Sequence, residues 1–69
     1  MAKTNKQRVL DYLQAIAPEY ATNADIREAT GISSHQQVYM LTRELQRQRQ
    51  IEASRRGREW SLRATLAPV

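Results

Sequence analysis

Ala24-Asp25-Ile26-Arg27-Glu28-Ala29-Thr30-Gly31-Ile32-Ser33 reads as a short helix, its stop and the turn that follows it. Ile26 and Ala29 are the only well-placed apolar residues, so the helix they define is brief. Asn23, just before it, is a good N-cap, and Asp25 in the first turn suits the positive end of the helix dipole. Gly31 supplies the left-handed residue at which a helix stops, and Ile32 begins a tight turn. Asp25 and Glu28 sit one turn apart beside Arg27. That context makes them helix-end electrostatics rather than paired carboxylates for acid or metal chemistry.

Beyond the turn, Ser33 and Ser34 are each followed three residues later by a glutamine, Gln36 and Gln37, giving a third helix two possible capping registers. Its apolar face is Val38, Leu41 and Leu45, with Thr42 on the same side. At about 100° per residue the opposite face carries Gln36, Met40, Arg43 and Arg47, flanked by Tyr39, and has almost no acid. Upstream, Thr4 with Gln7 predicts a capping box for a first helix whose stripe is Val9, Leu13 and Ile16, with Leu10 and Ala17 beside them. Pro18 ends it, and Glu19-Tyr20-Ala21-Thr22 reads as a connection.

From Ile51 the period changes from helical to alternating. Ile51 and Ala53 share one face of a short strand, and Trp60 and Leu62 share one face of another. Arg55-Arg56-Gly57-Arg58 is the hairpin tip between them, with Gly57 supplying the positive φ of a tight turn. Trp60, alternating with Leu62, is expected in the core. Tyr12 and Tyr20 are expected to pack, and His35 to face solvent.

A chain of 69 residues makes one domain with a thin core. It has no cysteine and one histidine, which excludes a disulfide framework and a thiolate zinc site. No apolar run reaches signal-peptide or membrane-span length, so a cytoplasmic setting is expected. The formal net charge is +4 and the isoelectric point ≈ 10.1. Between positions 43 and 58 lie Arg43, Arg47, Arg49, Arg55, Arg56 and Arg58 against only Glu44 and Glu52, while bases and acids elsewhere cancel. All the net charge therefore sits in one segment, the electrostatic footprint of a surface that faces phosphates.

The order helix, short helix, Gly-containing turn, longer basic helix and two-stranded ribbon resembles the winged helix-turn-helix family, from about Asn5 to Leu62. Family members typically carry an alanine and an isoleucine on the second helix. They follow these with Thr-Gly-Ile-Ser at the turn, here Thr30 to Ser33, then a valine and, seven residues on, a leucine. Val38 and Leu45 keep that interval, and Ile51 stands where the first wing strand usually begins. The resemblance implies a fold that is mostly α with a small β-hairpin: three helices plus a two-stranded wing over residues 1–63, with 64–69 as a tail or linker start. One position departs from the pattern, because the family often has glycine where the third helix ends and this chain has Arg49. A left-handed non-glycine residue costs roughly 1 kcal/mol, so either Arg49 bears that strain or the helix ends in another way, and the second is the expectation.

The resemblance also implies duplex DNA as the partner. A helix about 10–12 Å across fits the B-form major groove. Ser33, Ser34 and the backbone N–H groups at the start of the third helix can hold a phosphate, and Gln36 and Gln37 present amides suited to adenine. Tyr39 and Met40 can meet thymine methyls or sugars, Arg43 a guanine or phosphate, and Arg47 the backbone. Arg55, Arg56 and Arg58 would lie along or in the adjacent minor groove.

The expected function is a sequence-reading duplex DNA-binding module, not an enzyme, with no cofactor, metal or small-molecule ligand and no membrane partner. It would be either a small transcriptional regulator or the specificity domain of a larger DNA-processing enzyme such as a restriction endonuclease. It would act as a monomer, or as a dimer through a region not in this chain. The alternative is a winged-helix scaffold for protein–protein interaction. RNA and left-handed duplexes also stay open, since the same arginines would meet any phosphate backbone.

Overall fold

The computed structural model describes residues 3–65. Residues 66–69, most of the expected tail, and the side chain of Arg56 lie outside the described residues. The elements run α1 (Asn5–Ile16), β1 (Ala21–Thr22), α2 (Asn23–Thr30), α3 (His35–Arg47), β2 (Ile51–Arg56) and β3 (Glu59–Ala64). The three strands form one antiparallel sheet in the order β1-β3-β2.

Each helix starts on a side-chain cap that satisfies an otherwise orphaned N–H. Thr4 accepts from the Gln7 backbone N–H at 3.1 Å. Only half of the expected capping box forms there, because the Gln7 carboxamide donates to Asp11 at 2.8 Å instead. Asp11 also takes Lys3 Nζ at 2.6 Å, and these hydrogen bonds, Lys3 first, hold its carboxyl below the usual carboxylate range. At α2 the cap is Thr22 and not Asn23. Thr22 and Asp25 exchange hydrogen bonds at 3.2 and 3.1 Å in a complete capping box. At α3 Ser34 takes the cap, accepting from the Gln37 N–H at 3.2 Å, so the later of the two registers forms.

The core draws on every element. Val9, Leu10 and Leu13 of α1 meet Ile26 of α2, Val38 and Leu45 of α3, and Ile51, Leu62 and Ala64 of the ribbon, with Ala21 and Ile32 closing the edges. Ile26, the one buried residue of α2, is fully enclosed at 0% exposure, whereas Ala29 is exposed. Tyr12, Ile16 and Leu41 pack against this core from its margin.

Four further features differ from the sequence expectation. Ala21–Thr22, expected as connection, is a strand: Ala21 pairs with Leu62 and Thr22 with Ser61, so the two-stranded ribbon becomes a three-stranded sheet. β3 also continues past Leu62. Ala64 is buried opposite Ile51, and Arg63 Nε donates to Glu52 at 2.7 Å with its guanidinium 4.9 Å from the Tyr20 ring. An ordered backbone therefore extends into the stretch expected to be patternless.

Arg49 does adopt the left-handed conformation, at φ 61. Its N–H reaches the Gln46 carbonyl at 3.0 Å and the next N–H, of Gln50, reaches Leu45 at 2.9 Å. This is the paired bonding of a Schellman motif, which satisfies two terminal carbonyls of α3 and offsets the strain of a non-glycine residue. Trp60 is the fourth correction. Expected in the core, it is 54% exposed. It lies on the same sheet face as Leu62 and Ala64 but does not join the buried cluster that they belong to.

Candidate nucleic-acid interface

The side of α3 turned away from the core is fully presented. Gln36, Gln37, Tyr39, Met40, Arg43 and Arg47 are all exposed, as are Ser33, Ser34 and His35 at the head of the helix. The Ser34 hydroxyl oxygen is engaged as the cap, and its O–H remains a donor. Arg43 is steered by its neighbour one turn earlier: its guanidinium lies 5.7 Å from the Tyr39 ring centre and Nη1 donates to the Tyr39 hydroxyl at 3.2 Å. Tyr39 thus limits the orientations of the arginine before any partner arrives.

The ribbon is closed by Gly57 and Arg58. Gly57, at φ 65, stands first in a two-residue loop, where such a hairpin calls for glycine. The register places Arg56 opposite Glu59 and Arg55 opposite Trp60. Arg55 and Arg58 are exposed, and the side chain of Arg56 is outside the described residues.

Electrostatics at this surface follow from where the acids go. Glu44, on α3, is reached by Lys6 from α1 at 3.3 Å, and Glu52, on β2, by Arg63 from β3 at 2.7 Å. Both acids within the basic segment are therefore paired with cations from outside it. Among the described residues, no salt bridge engages Arg43, Arg47, Arg49, Arg55 or Arg58.

Helix and ribbon meet at a cleft of about 250 Å³. Tyr39, Arg43 and Gln46 line it from α3 and Trp60 from β3, while Ala53, Leu62 and Thr42 form its floor. Asn23, at the head of α2, closes one end. The Thr42 hydroxyl donates to the Tyr39 carbonyl at 3.0 Å, with the Asn23 carboxamide oxygen at 3.4 Å. Trp60, Gln46 and Asn23 are the residues at this surface that the sequence reading does not place there. A signal for Trp60 exists in the hairpin register, because a two-residue loop puts charged Arg55 directly opposite it, and a core face seldom carries an arginine.

No group of three His, Cys, Asp or Glu side chains among the described residues could hold a metal ion. No helix among them is long and apolar enough to cross a membrane.

Two solved structures share this arrangement. The ZitR protein of Lactococcus lactis, solved in complex with DNA, matches at a TM-score of 0.69 and 28% identity over 94% of this chain and 44% of its own. The fold is a winged helix. Human N-acetylserotonin methyltransferase, solved with SAM, matches at a TM-score of 0.68 and 18% identity over 87% of this chain and 19% of its own. The winged helix described here thus spans less than half of either neighbour, and in the second it forms part of an enzyme chain. No protein-family model and no curated sequence matches the chain. The winged helix by itself therefore fixes the scaffold, and the use made of it must be argued from side chains.

Proposed function

We propose that the protein is a module that reads duplex DNA, with α3 in the major groove and the wing on the backbone or in the adjacent minor groove. The observation that carries this reading is the pairing of Glu44 with Lys6 and of Glu52 with Arg63. It leaves Arg43 and Arg47 on α3 and Arg55 and Arg58 on the wing exposed and outside any salt bridge among the described residues, against Glu59 as the exposed acid of the wing, and release of counterions from phosphate rewards such an excess of cations. The likeness to ZitR, solved with DNA, supports the same reading.

On this reading Ser33, Ser34 and the amide groups at the start of α3 position a phosphate, Gln36 and Gln37 meet base edges, and Arg43 reaches a guanine or a phosphate. Tyr39 and Met40 supply the apolar contacts, while Arg47, Arg55, Arg56 and Arg58 hold backbone. The role is that of a cytoplasmic transcriptional regulator's DNA-binding domain rather than an enzyme. It acts as a monomer, or as a dimer through a region outside this chain. A specificity domain within a larger DNA-processing enzyme would use the same surface.

One observation favours a protein partner instead: Tyr39 and Met40 on α3 and Trp60 on the wing are large apolar side chains left 48%, 61% and 54% exposed. Titration of the protein into a fluorescently labelled duplex at moderate salt decides between the two. The DNA reading predicts saturable binding whose affinity falls steeply with salt. Binding no tighter than that of an unrelated basic protein of equal charge would remove it in favour of the protein scaffold.

A further inference from the structure

We propose that the cleft between α3 and the wing seats the sugar–phosphate strand of DNA, and that Trp60 packs on a deoxyribose there and makes the domain prefer DNA to RNA. The proposal rests on the groove assignment above and extends it to the cleft between helix and wing, where that assignment gives Trp60 and Gln46 no role. A helix in the major groove and a hairpin at the neighbouring minor groove have to straddle something, because adjacent grooves are divided by a single sugar–phosphate strand. Whatever lies between α3 and the wing therefore meets that strand.

What lies between them has the matching chemistry. Two half-exposed aromatic rings, Tyr39 from the helix and Trp60 from the strand, border the cleft, with Arg43 beside Tyr39. The rings offer apolar faces to the carbon skeleton of a sugar. The Arg43 guanidinium, the Gln46 amide and the Trp60 indole N–H are donors for phosphate oxygens. Thr42, on the floor, has its hydroxyl committed to the Tyr39 carbonyl at 3.0 Å, so it does not compete for that role.

The indole's position argues against a purely structural part. Trp60 shares the sheet face of Leu62, yet its neighbour across the ladder is Arg55, and it is left 54% exposed. A large aromatic left half open next to unpaired cations suits a ligand that is anionic along its length and apolar between its charges, as a nucleic acid strand is. A ribose in the same seat would press its 2′-hydroxyl against an aromatic face that offers it no partner, and an unpaired polar group pressed there is unfavourable.

Trp60 is the chain's single tryptophan, so its own fluorescence reports the contact. Complex formation is followed separately by the anisotropy of a labelled duplex. At saturation the account expects the acrylamide quenching constant of Trp60 to fall by about twofold or more, as solvent is excluded from a covered side chain. Trp60→Ala should weaken binding roughly tenfold on every sequence, since about 100 Å² of open indole surface is at stake. Trp60→Phe should recover part of that loss. In a B-form duplex carrying one ribonucleotide moved along the strand, the wild type should lose affinity at one position per bound domain, and Trp60→Ala should show no such position. Unchanged quenching in a complex that anisotropy shows to be saturated would overturn the proposal while leaving DNA binding intact. No anisotropy change at all would instead overturn the DNA reading itself, and this inference with it.

Discussion

Arg55 and Trp60 stand directly opposite each other across the β2–β3 ladder, both exposed, on the sheet face that two pairs earlier carries the buried Ile51 and Ala64. Between these pairs come Ala53 and Leu62. One face of one hairpin thus passes from core to open surface within a few residues. The part that anchors the wing and the part that can grip a partner are the same ribbon.

The grip should be indifferent to sequence. Replacing Arg55 and Arg58 together by alanine should weaken binding to all duplexes alike. It should also flatten the plot of log affinity against log salt by about one unit for each phosphate contact removed. Affinities measured at several salt concentrations on two unrelated duplexes check both parts. A loss confined to one duplex would place these arginines on bases.

Gln36→Ala should act in the opposite way. A bidentate amide–base contact discriminates by about 1–3 kcal/mol at one base pair. The substitution should therefore relax preference at a single position and leave the salt dependence unchanged. Relative affinities of a set of single-base variants, measured for wild type and mutant, provide the comparison.

The scaffold depends on a very small number of buried side chains. Ile26 is the only buried residue of α2 and has 0% exposure, so Ile26→Ala should cost about 2–5 kcal/mol through lost burial and the cavity left behind. A domain of this size has roughly 3–10 kcal/mol in total. The variant should then be largely unfolded at 37 °C, by loss of the helical circular dichroism signal. Ala29→Ser, at an exposed position of the same helix, should change stability by less than about 0.5 kcal/mol.

How much of this was legible in sequence depended on whether local chemistry carried it. The helices were, because their stops and starts lie in single residues: Gly31 ends α2 at φ 77 as its lack of a side chain allows, and Ser34 caps α3. The period-2 faces of the ribbon were legible too. β1 was not, since two residues are too few to show alternation, and Ala21–Thr22 becomes a strand only because Leu62 and Ser61 are there to pair with it. Trp60 was misplaced because alternation tells which face a residue is on and not how far the core extends along that face. The α3 surface residues were legible as a polar face. The cleft they share with the wing was not, because it joins residues from four separate elements.

Arg49 offers a test of the local strain. Its positive φ serves the Schellman hydrogen bonds to Gln46 and Leu45 and not the arginine side chain. Arg49→Gly should therefore keep the bonds, relieve the left-handed penalty, and raise stability by roughly 0.5–1 kcal/mol after the added flexibility of the unfolded chain is counted. Thermal or urea denaturation measures it. A lower midpoint for the glycine variant would mean that the Arg49 side chain itself stabilises the end of α3.

The central claim is that the exposed face of α3 reads sequence while the wing adds affinity, and selection from a library of randomised duplexes tests it most directly. The account predicts that a defined motif is enriched and that Gln36→Ala changes the enriched motif. Substitution of Arg55 and Arg58 should leave the motif unchanged while lowering the yield at every round. A library that emerges without any preferred sequence, although the protein binds it, would contradict the claim and reduce this surface to a general polyanion-binding patch.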